Sequence, residues 1–159
     1  MSTSAFAYHT SGWGVGVAGR FNLDLDDFGS AFGAALSLKA PQLPIYWGIN
    51  LAFRQSGFNL NLTGDGYLFD ETLAEKISLG WFLGLGAYAG TGIGNNGYAS
   101  TSFGVRTPVG IYMFPVNSLE IFLNLAPSLG VGFYFGDSPK RFRFPESDIG
   151  LDIGVRFWF

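Results

Sequence analysis

The chain has 159 residues and a mass of 17.2 kDa, room for one domain and little else. Glycine supplies 24 residues, aromatics 18% and charged residues only 13%, where about a quarter is usual, and mean hydropathy is +0.26. Disordered chains, coiled coils and nucleic-acid binders need the opposite balance. A net charge of −3 steers no partner over the whole surface, and the absence of cysteine removes disulfides, thiolate metal sites and cysteine nucleophiles.

Apolar residues recur at every second position, the period of a strand. Eight stretches follow. The first, about 12–23, sets Trp13, Val15, Val17, Phe21 and Leu23 against Gly12, Gly14, Gly16, Ala18, Arg20 and Asn22. The second, about 28–39, sets Phe32, Ala34, Leu36 and Leu38 against Gly33, Ala35, Ser37 and Lys39. In the third, about 44–54, Ile45, Trp47, Ile49, Leu51 and Phe53 oppose Tyr46, Gly48, Asn50, Ala52 and Arg54. In the fourth, about 57–69, Phe58, Leu60, Leu62 and Leu68 oppose Asn59, Asn61, Thr63, Asp65 and Tyr67. The fifth, about 76–90, alternates Ile77, Leu79, Trp81, Leu83 and Leu85 with Ser78, Gly80, Phe82, Gly84 and Gly86. The sixth, about 99–114, alternates Phe103, Val105, Val109, Ile111 and Met113 with Ser102, Gly104, Arg106 and Gly110. The seventh, about 118–135, sets Leu119, Ile121, Leu123, Leu125, Leu129, Val131, Phe133 and Phe135 against Glu120, Asn124, Ser128, Gly130 and Gly132. The last, about 147–159, sets Ile149, Leu151, Ile153, Val155, Phe157 and Phe159 against Asp148, Gly150, Asp152, Gly154 and Arg156.

The second face of each stretch, rich in glycine and poor in charge, makes a poor water-facing surface. Turned inward it fills a narrow lumen while the apolar face meets lipid. Backbone groups in lipid need partners within the sheet, so the sheet must close, and eight strands close around an interior just filled by side chains. The expected fold is therefore an all-β, eight-stranded antiparallel up-and-down transmembrane β-barrel over residues 12–159, preceded by a periplasmic N-terminal segment, 1–11. A helical reading of 77–105 fails because Gly90, Gly92, Gly94, Asn95, Asn96 and Gly97 would put a loop in mid-membrane. With both termini periplasmic, turns near 40–43, 70–74 and 115–117 face the periplasm, and segments 24–27, 55–56, 91–97 and 136–146 face outward. Aromatics near the strand ends form two interfacial girdles, with Trp13, Trp47, Phe157, Trp158 and Phe159 low and Phe21, Phe53, Phe58, Phe133 and Phe135 high. Nothing basic precedes an apolar run at the start of the chain, yet Ala5-Phe6-Ala7 has the small-x-small form of a signal-peptidase site.

The chain ends Asp152-Ile153-Gly154-Val155-Arg156-Phe157-Trp158-Phe159. This run resembles the terminal assembly signal of bacterial outer-membrane barrels, with the polar, Gly, aromatic and terminal Phe positions at Asp152, Gly154, Phe157 and Phe159. The resemblance implies that the barrel-insertion machinery of the outer membrane reads this strand. The whole chain is similar to small eight-stranded barrels of the OmpA/OmpX type. Leu43-Pro44-Ile45-Tyr46-Trp47-Gly48, Thr63-Gly64-Asp65-Gly66-Tyr67 and Leu119-Glu120-Ile121-Phe122 also resemble a spirochaetal family of small outer-membrane barrels with no assigned activity. Pro108 and Pro127 depart from strand chemistry. Each removes a ladder donor in a barrel with no edge to hide it, so a local bulge or kink is expected where Pro108 faces Leu125 and Pro127 faces Arg106.

Arg20, Arg54, Arg106 and Arg156 project inward together with Asp65, Glu120 and Asp152, and buried charges must be paired. The expected result is a structural ion-pair network in a lumen too narrow for a porin, with a gated ion or proton path as the alternative. A lipid-modifying enzyme on this fold would need a nucleophile and an oriented base. The one histidine, His9, with Ser4 and Ser11 nearby, precedes the first strand and offers no fixed geometry, so no catalytic residue, cofactor or metal is expected. Gly12-Trp13-Gly14-Val15-Gly16 and Gly84-Leu85-Gly86 lack the helix and lysine of a phosphate loop. Asp24, Asp26 and Asp27 lack the glycine and distal glutamate of a calcium loop. In the last outer loop Lys140, Arg141 and Arg143 alternate with Phe142 and Phe144, a pattern able to grip an anionic glycan or a host protein. The acidic 24–27 turn lies beside it, and pairing between the two loops is the stronger reading. The expectation is a monomer in outer-membrane lipid with a structural or surface-binding, adhesin-like role. A lipid-modifying enzyme or a soluble lipocalin-like carrier would be the alternatives.

Overall fold

The computed structural model describes residues 12–26, 29–54, 57–95, 97–136 and 141–159. The expectations for segment 1–11, including Ser4, His9 and Ser11, and those for Asp27 and Lys140 lie outside them. The strands are β1 (Gly14–Asp24), β2 (Ser30–Lys39), β3 (Tyr46–Arg54), β4 (Gly57–Ala74), β5 (Leu79–Gly94), β6 (Ala99–Arg106), β7 (Val109–Val116), β8 (Leu119–Phe135) and β9 (Phe142–Trp158). Every neighbour pair is antiparallel, and β1 pairs with both β2 and β9, so the sheet is a closed ring. β6 and β7 are two halves of one crossing, both paired with β5 and β8. The chain thus crosses eight times.

Following the register around the ring from Gly14 through Lys39, Tyr46, Asp65, Gly86, Arg106, Ser128 and Asp148 returns to β1 at Asp24, ten residues along the strand. Eight strands with a shear of ten tilt by about 40° and enclose a backbone cylinder of about 8 Å radius, which inward side chains largely fill.

The faces fall as the alternation requires. Val17, Leu36, Phe103, Val105 and Ile153 are exposed on the outside, while Arg20, Asn22, Asn50, Asp65, Arg106 and Asp152 are buried within. A carrier needs the apolar face around its cavity, and this arrangement is the reverse. Among the described residues no helix is long and apolar enough to cross a membrane.

The crossing formed by β6 and β7 breaks at Thr107–Pro108. There the Thr107 N–H donates to the Pro127 carbonyl at 3.0 Å, and the Gly84 N–H donates to the Pro108 carbonyl at 2.7 Å. Because a strand residue turns its N and C=O to the same side, Pro127 directs its missing donor at this break and stays in register with Ile149 of β9. The two prolines are neighbours, one residue from the expected register: Val109 faces Leu125 and Arg106 faces Ser128.

Four expected details change. β5 runs on to Gly94, so Thr91, Gly92, Ile93 and Gly94, expected in an outward loop, are strand residues paired with β4, and the first three with β6 as well, their glycines continuing the inner face. β4 continues to Ala74, and the turn is the 3-10 segment Glu75–Ile77 closed by Ser78 at φ 48°. Register shifts at Tyr67/Phe69 and Thr72/Ala74 expose consecutive Leu68 and Phe69, which interrupts the alternation that would have revealed the strand. β9 begins at Phe142 because a register shift at Gly130/Gly132 hides its first residues from the period-two pattern. Trp158 leaves the girdle: it shares the parity of Arg156 and is buried at 4% exposure, while Phe157 and Phe159 point outward.

Candidate functional site

The lumen is built in layers from the terminal end upward. At that end Glu120, with no exposed surface, accepts two hydrogen bonds from Arg156 Nη1 at 2.8 Å and one from the Trp158 indole N–H at 2.7 Å. The Arg156 guanidinium lies 4.9 Å from the Tyr46 ring, 4.8 Å from Phe122 and 5.7 Å from Trp158, and its Nε and Nη2 donate to Ser37 Oγ. Beside it Tyr46, Tyr67 and Phe82 stack with ring centres 4.0 and 4.2 Å apart, and the Tyr112 hydroxyl donates to Asp70 at 2.6 Å. These groups plug one end of the cylinder.

Above the plug Arg106 Nε sits 3.2 Å from Asp65 Oδ1, and Arg20 Nε sits 3.1 Å from Asp152 Oδ1. Both are ion pairs without hydrogen-bond alignment. Arg106 also reaches Asp152 at 3.9 Å, so two cations and two anions share one buried layer. Asn124 donates to the same carboxylate at 3.4 Å. A cavity of about 40 Å³ separates this layer from the plug.

The outer half is a second cavity of about 90 Å³. Asn59 and Asn61 of β4, Tyr88 of β5, Ser100 and Ser102 of β6 and Ser128 of β8 line its walls, with Glu146 and Asp148 of β9 on one side and Arg54 on another. Tyr88 fits because Gly104 and Gly130, adjacent across β6 and β8, leave its ring the space that a side chain at either would occupy. Ser128 donates to Asp148 Oδ1 at 2.8 Å, and Tyr134 donates to Glu146 Oε1 at 3.4 Å.

At the rim Arg143 donates to Asp24 Oδ1 and Oδ2 at 3.1 and 3.2 Å and lies 2.8 Å from Asp26 Oδ2. Arg54 reaches Asp24 at 3.6 Å. Asp26 also accepts from the N–H and the hydroxyl of Ser147.

The structure therefore gathers Arg20, Asp65, Arg106 and Asp152 into one layer and places Arg156 with Glu120 in another. Arg54, expected in the same network, stands apart at the rim, its side chain 29% exposed. Arg143 is engaged by the acidic turn and turns away from the loop surface, where Arg141, Phe142 and Phe144 are exposed. Sequence pattern places Asp24 in the acidic turn expected to pair with the last loop, as it does with Arg143, but does not single out Glu146, Asp148, Tyr88, Trp158 or the Asn and Ser wall as site residues. Parity alone marks Asp24 and Asp148 as inward, since they alternate with Arg20 and Asp152. Among the described residues no group of three or more His, Cys, Asp or Glu side chains is placed to hold a metal ion.

No protein-family model matches the chain, and no curated protein matches it by sequence. Solved structures do match. Neisserial surface protein A superposes with a TM-score of 0.59 at 9% identity, over 94% of this chain and 98% of that one. The N-terminal β-barrel domain of Pseudomonas aeruginosa OprF superposes with a TM-score of 0.52 at 11% identity, over 91% of this chain and 97% of that one. The likeness is one of fold, that of small outer-membrane β-barrels, as the resemblance read from the sequence implies.

Proposed function

We propose that the chain is an integral protein of a bacterial outer membrane, a monomeric barrel without an open pore whose role is structural or surface-binding and not catalytic. One observation carries this reading. The closed ring turns its apolar side chains outward and keeps its charges, in paired layers, inside. Lipid is the solvent that such a surface requires, because the same surface in water would expose apolar area around the whole circumference. The Arg156–Glu120 plug and the Arg20–Asp152–Arg106–Asp65 layer obstruct the lumen twice. With the termini on the periplasmic side, the larger cavity opens to the exterior.

Gel migration of detergent-refolded protein, with and without boiling, tests the reading beside far-UV circular dichroism. A heat-dependent shift with a β-rich spectrum is the expected result. A protein that stays soluble without detergent and shows no shift would overturn the membrane placement. Planar-bilayer recording should show no steady open-channel conductance; a stable conductance at neutral pH would overturn the plugged lumen.

A further inference from the structure

We infer that the outer cavity is a binding site for a neutral polyhydroxylated ligand, the edge of a single sugar ring, taken up from the exterior. The inference rests on the membrane-barrel reading above and gives the surface-binding role a ligand class.

Three observations carry it. First, the side-chain amides of Asn59 and Asn61 and the hydroxyls of Ser100 and Ser102 face the cavity and have no side-chain hydrogen-bond partner among the described residues. They hold unspent donors and acceptors on one wall, whereas the facing wall, Ser128 with Asp148 and Tyr134 with Glu146, is already cross-linked. Unspent polar groups on a concave surface hold water when empty, and a ligand that reproduces those bonds displaces it favourably. Second, the cations of the cavity are all paired with carboxylates. Arg20 and Arg106 of its floor are bound to Asp152 and Asp65 beneath, and Arg54 at the mouth is opposed by Asp24, while Glu146 and Asp148 are held by hydroxyl donors. An anion therefore finds no uncompensated cation, and although Glu146 Oε2 is buried without a hydrogen-bond partner, the open Asn and Ser wall carries no charge, which selects a neutral ligand and makes a cation the competitor that the test must exclude. Third, Tyr88 and Tyr134 line the same cavity and combine an apolar ring face with a hydroxyl, the pairing that suits a ring carrying C–H groups on its faces and hydroxyls on its rim. At about 90 Å³ the cavity takes one edge of one ring and leaves the rest of the ligand in the mouth.

The test uses full-length protein refolded in detergent micelles, its fold checked by heat-dependent gel migration, and NMR titration of its amides. Probes are glucose, galactose, mannose and N-acetylglucosamine, each as the free sugar and as its methyl glycoside. Expected are saturable shifts at the Asn59 and Asn61 side-chain amides and at the backbone of Ser100 and Ser102, with dissociation constants on the order of millimolar. Asn61→Ala and, as the milder change, Ser102→Ala should each weaken binding by about three- to tenfold with the heat shift retained. Arg141→Ser, on the outer loop, should bind as the parent protein does. Equal binding of free sugar and glycoside identifies the terminal unit of a glycan, and binding of the free sugar alone identifies a solute; both support the site. Folded protein with no saturable shift for any probe overturns the inference and leaves the barrel reading intact. So do shifts that survive both wall variants, or saturation by magnesium or methylammonium in place of the sugars. A protein that shows no heat shift refutes the barrel reading and this site together.

Discussion

Glu120→Ala should be among the most damaging single changes in the lumen. Glu120 is fully buried and accepts three hydrogen bonds at 2.7–2.8 Å, two of them from Arg156, itself 3% exposed. Removing the carboxylate leaves a guanidinium in an aromatic cage with Ser37 and the Tyr67 hydroxyl as its polar partners, and breaking a buried pair in this way costs about 3–5 kcal/mol. Glu120→Gln keeps the volume and an acceptor oxygen and loses the charge, so about 1.5–3 kcal/mol is expected. The double variant Glu120→Leu, Arg156→Met removes both charges together and should lie near the parent protein or above it, because a buried ion pair replaced by apolar groups of similar volume is often neutral or stabilising. Urea unfolding in lipid vesicles, followed by tryptophan fluorescence, provides the assay. With a slope of about 1–3 kcal/mol per molar urea, the single Ala variant shifts the midpoint down by at least about 1 M. Refutation is simple: if Glu120→Ala unfolds within about 1 kcal/mol of the parent protein, water reaches Arg156 and the plug is not dry.

Other substitutions separate the remaining parts of the structure. Arg143→Ser should destabilise the barrel by about 1–3 kcal/mol, less at high salt, because it leaves Asp24 with Arg54 as its one close cation beside the Asp26 N–H. Arg141→Ser should leave stability unchanged, and equal effects of the two would contradict the different roles assigned to neighbouring cations. Phe159→Ala should reduce the amount of assembled protein recovered from cell outer membranes while changing the urea midpoint of refolded protein by less than about 1 kcal/mol, since Phe159 is 76% exposed. An equal loss in both measurements would make the residue structural. Gly104→Leu should displace Tyr88 and prevent the refolded heat shift, and a normal heat shift would show that the wall has more room than its backbone spacing implies.

What the sequence makes legible is parity. A period of two assigns each side chain to lipid or lumen, which is why Arg20, Arg106, Arg156, Asp65, Glu120 and Asp152 all fall inside on the alternation alone. Partners are not legible, because the shear of the barrel sets which inward residues share a height. Arg106 and Asp65 meet although β5 lies between their strands, and no local pattern encodes that. Trp158 departs from the expected girdle because the parity it shares with Arg156 outweighs the tendency of aromatics to gather at the interface. The extension of β4 is hidden by its own bulges. The outer cavity leaves the weakest trace, since Asn, Ser and Gly on an inner face read equally as filler.

The same inward parity explains the last strand. The first and last strands are the pair farthest apart in sequence: Arg143 and Asp24 are separated by 119 residues, and closing so long a loop costs about 2 kcal/mol more than closing a hairpin of about twelve residues. The seam between β1 and β9 carries compensating bonds along its length, with Arg20–Asp152 in the middle and Arg143–Asp24 at the rim. Two of the four positions of the terminal motif are thereby accounted for within the finished barrel. Asp152 fastens the seam, and Gly154 is pressed against Ala18 so closely that no side chain fits there. Phe157 and Phe159 are different, exposed on the outer face at 53% and 76% with no internal bond to make through their side chains. If the motif were only a requirement of packing, its aromatic half would be dispensable. The assembly reading therefore stands or falls on those two phenylalanines, and substitutions at Asp152 or Gly154 cannot decide it, because they open the seam whatever reads the strand.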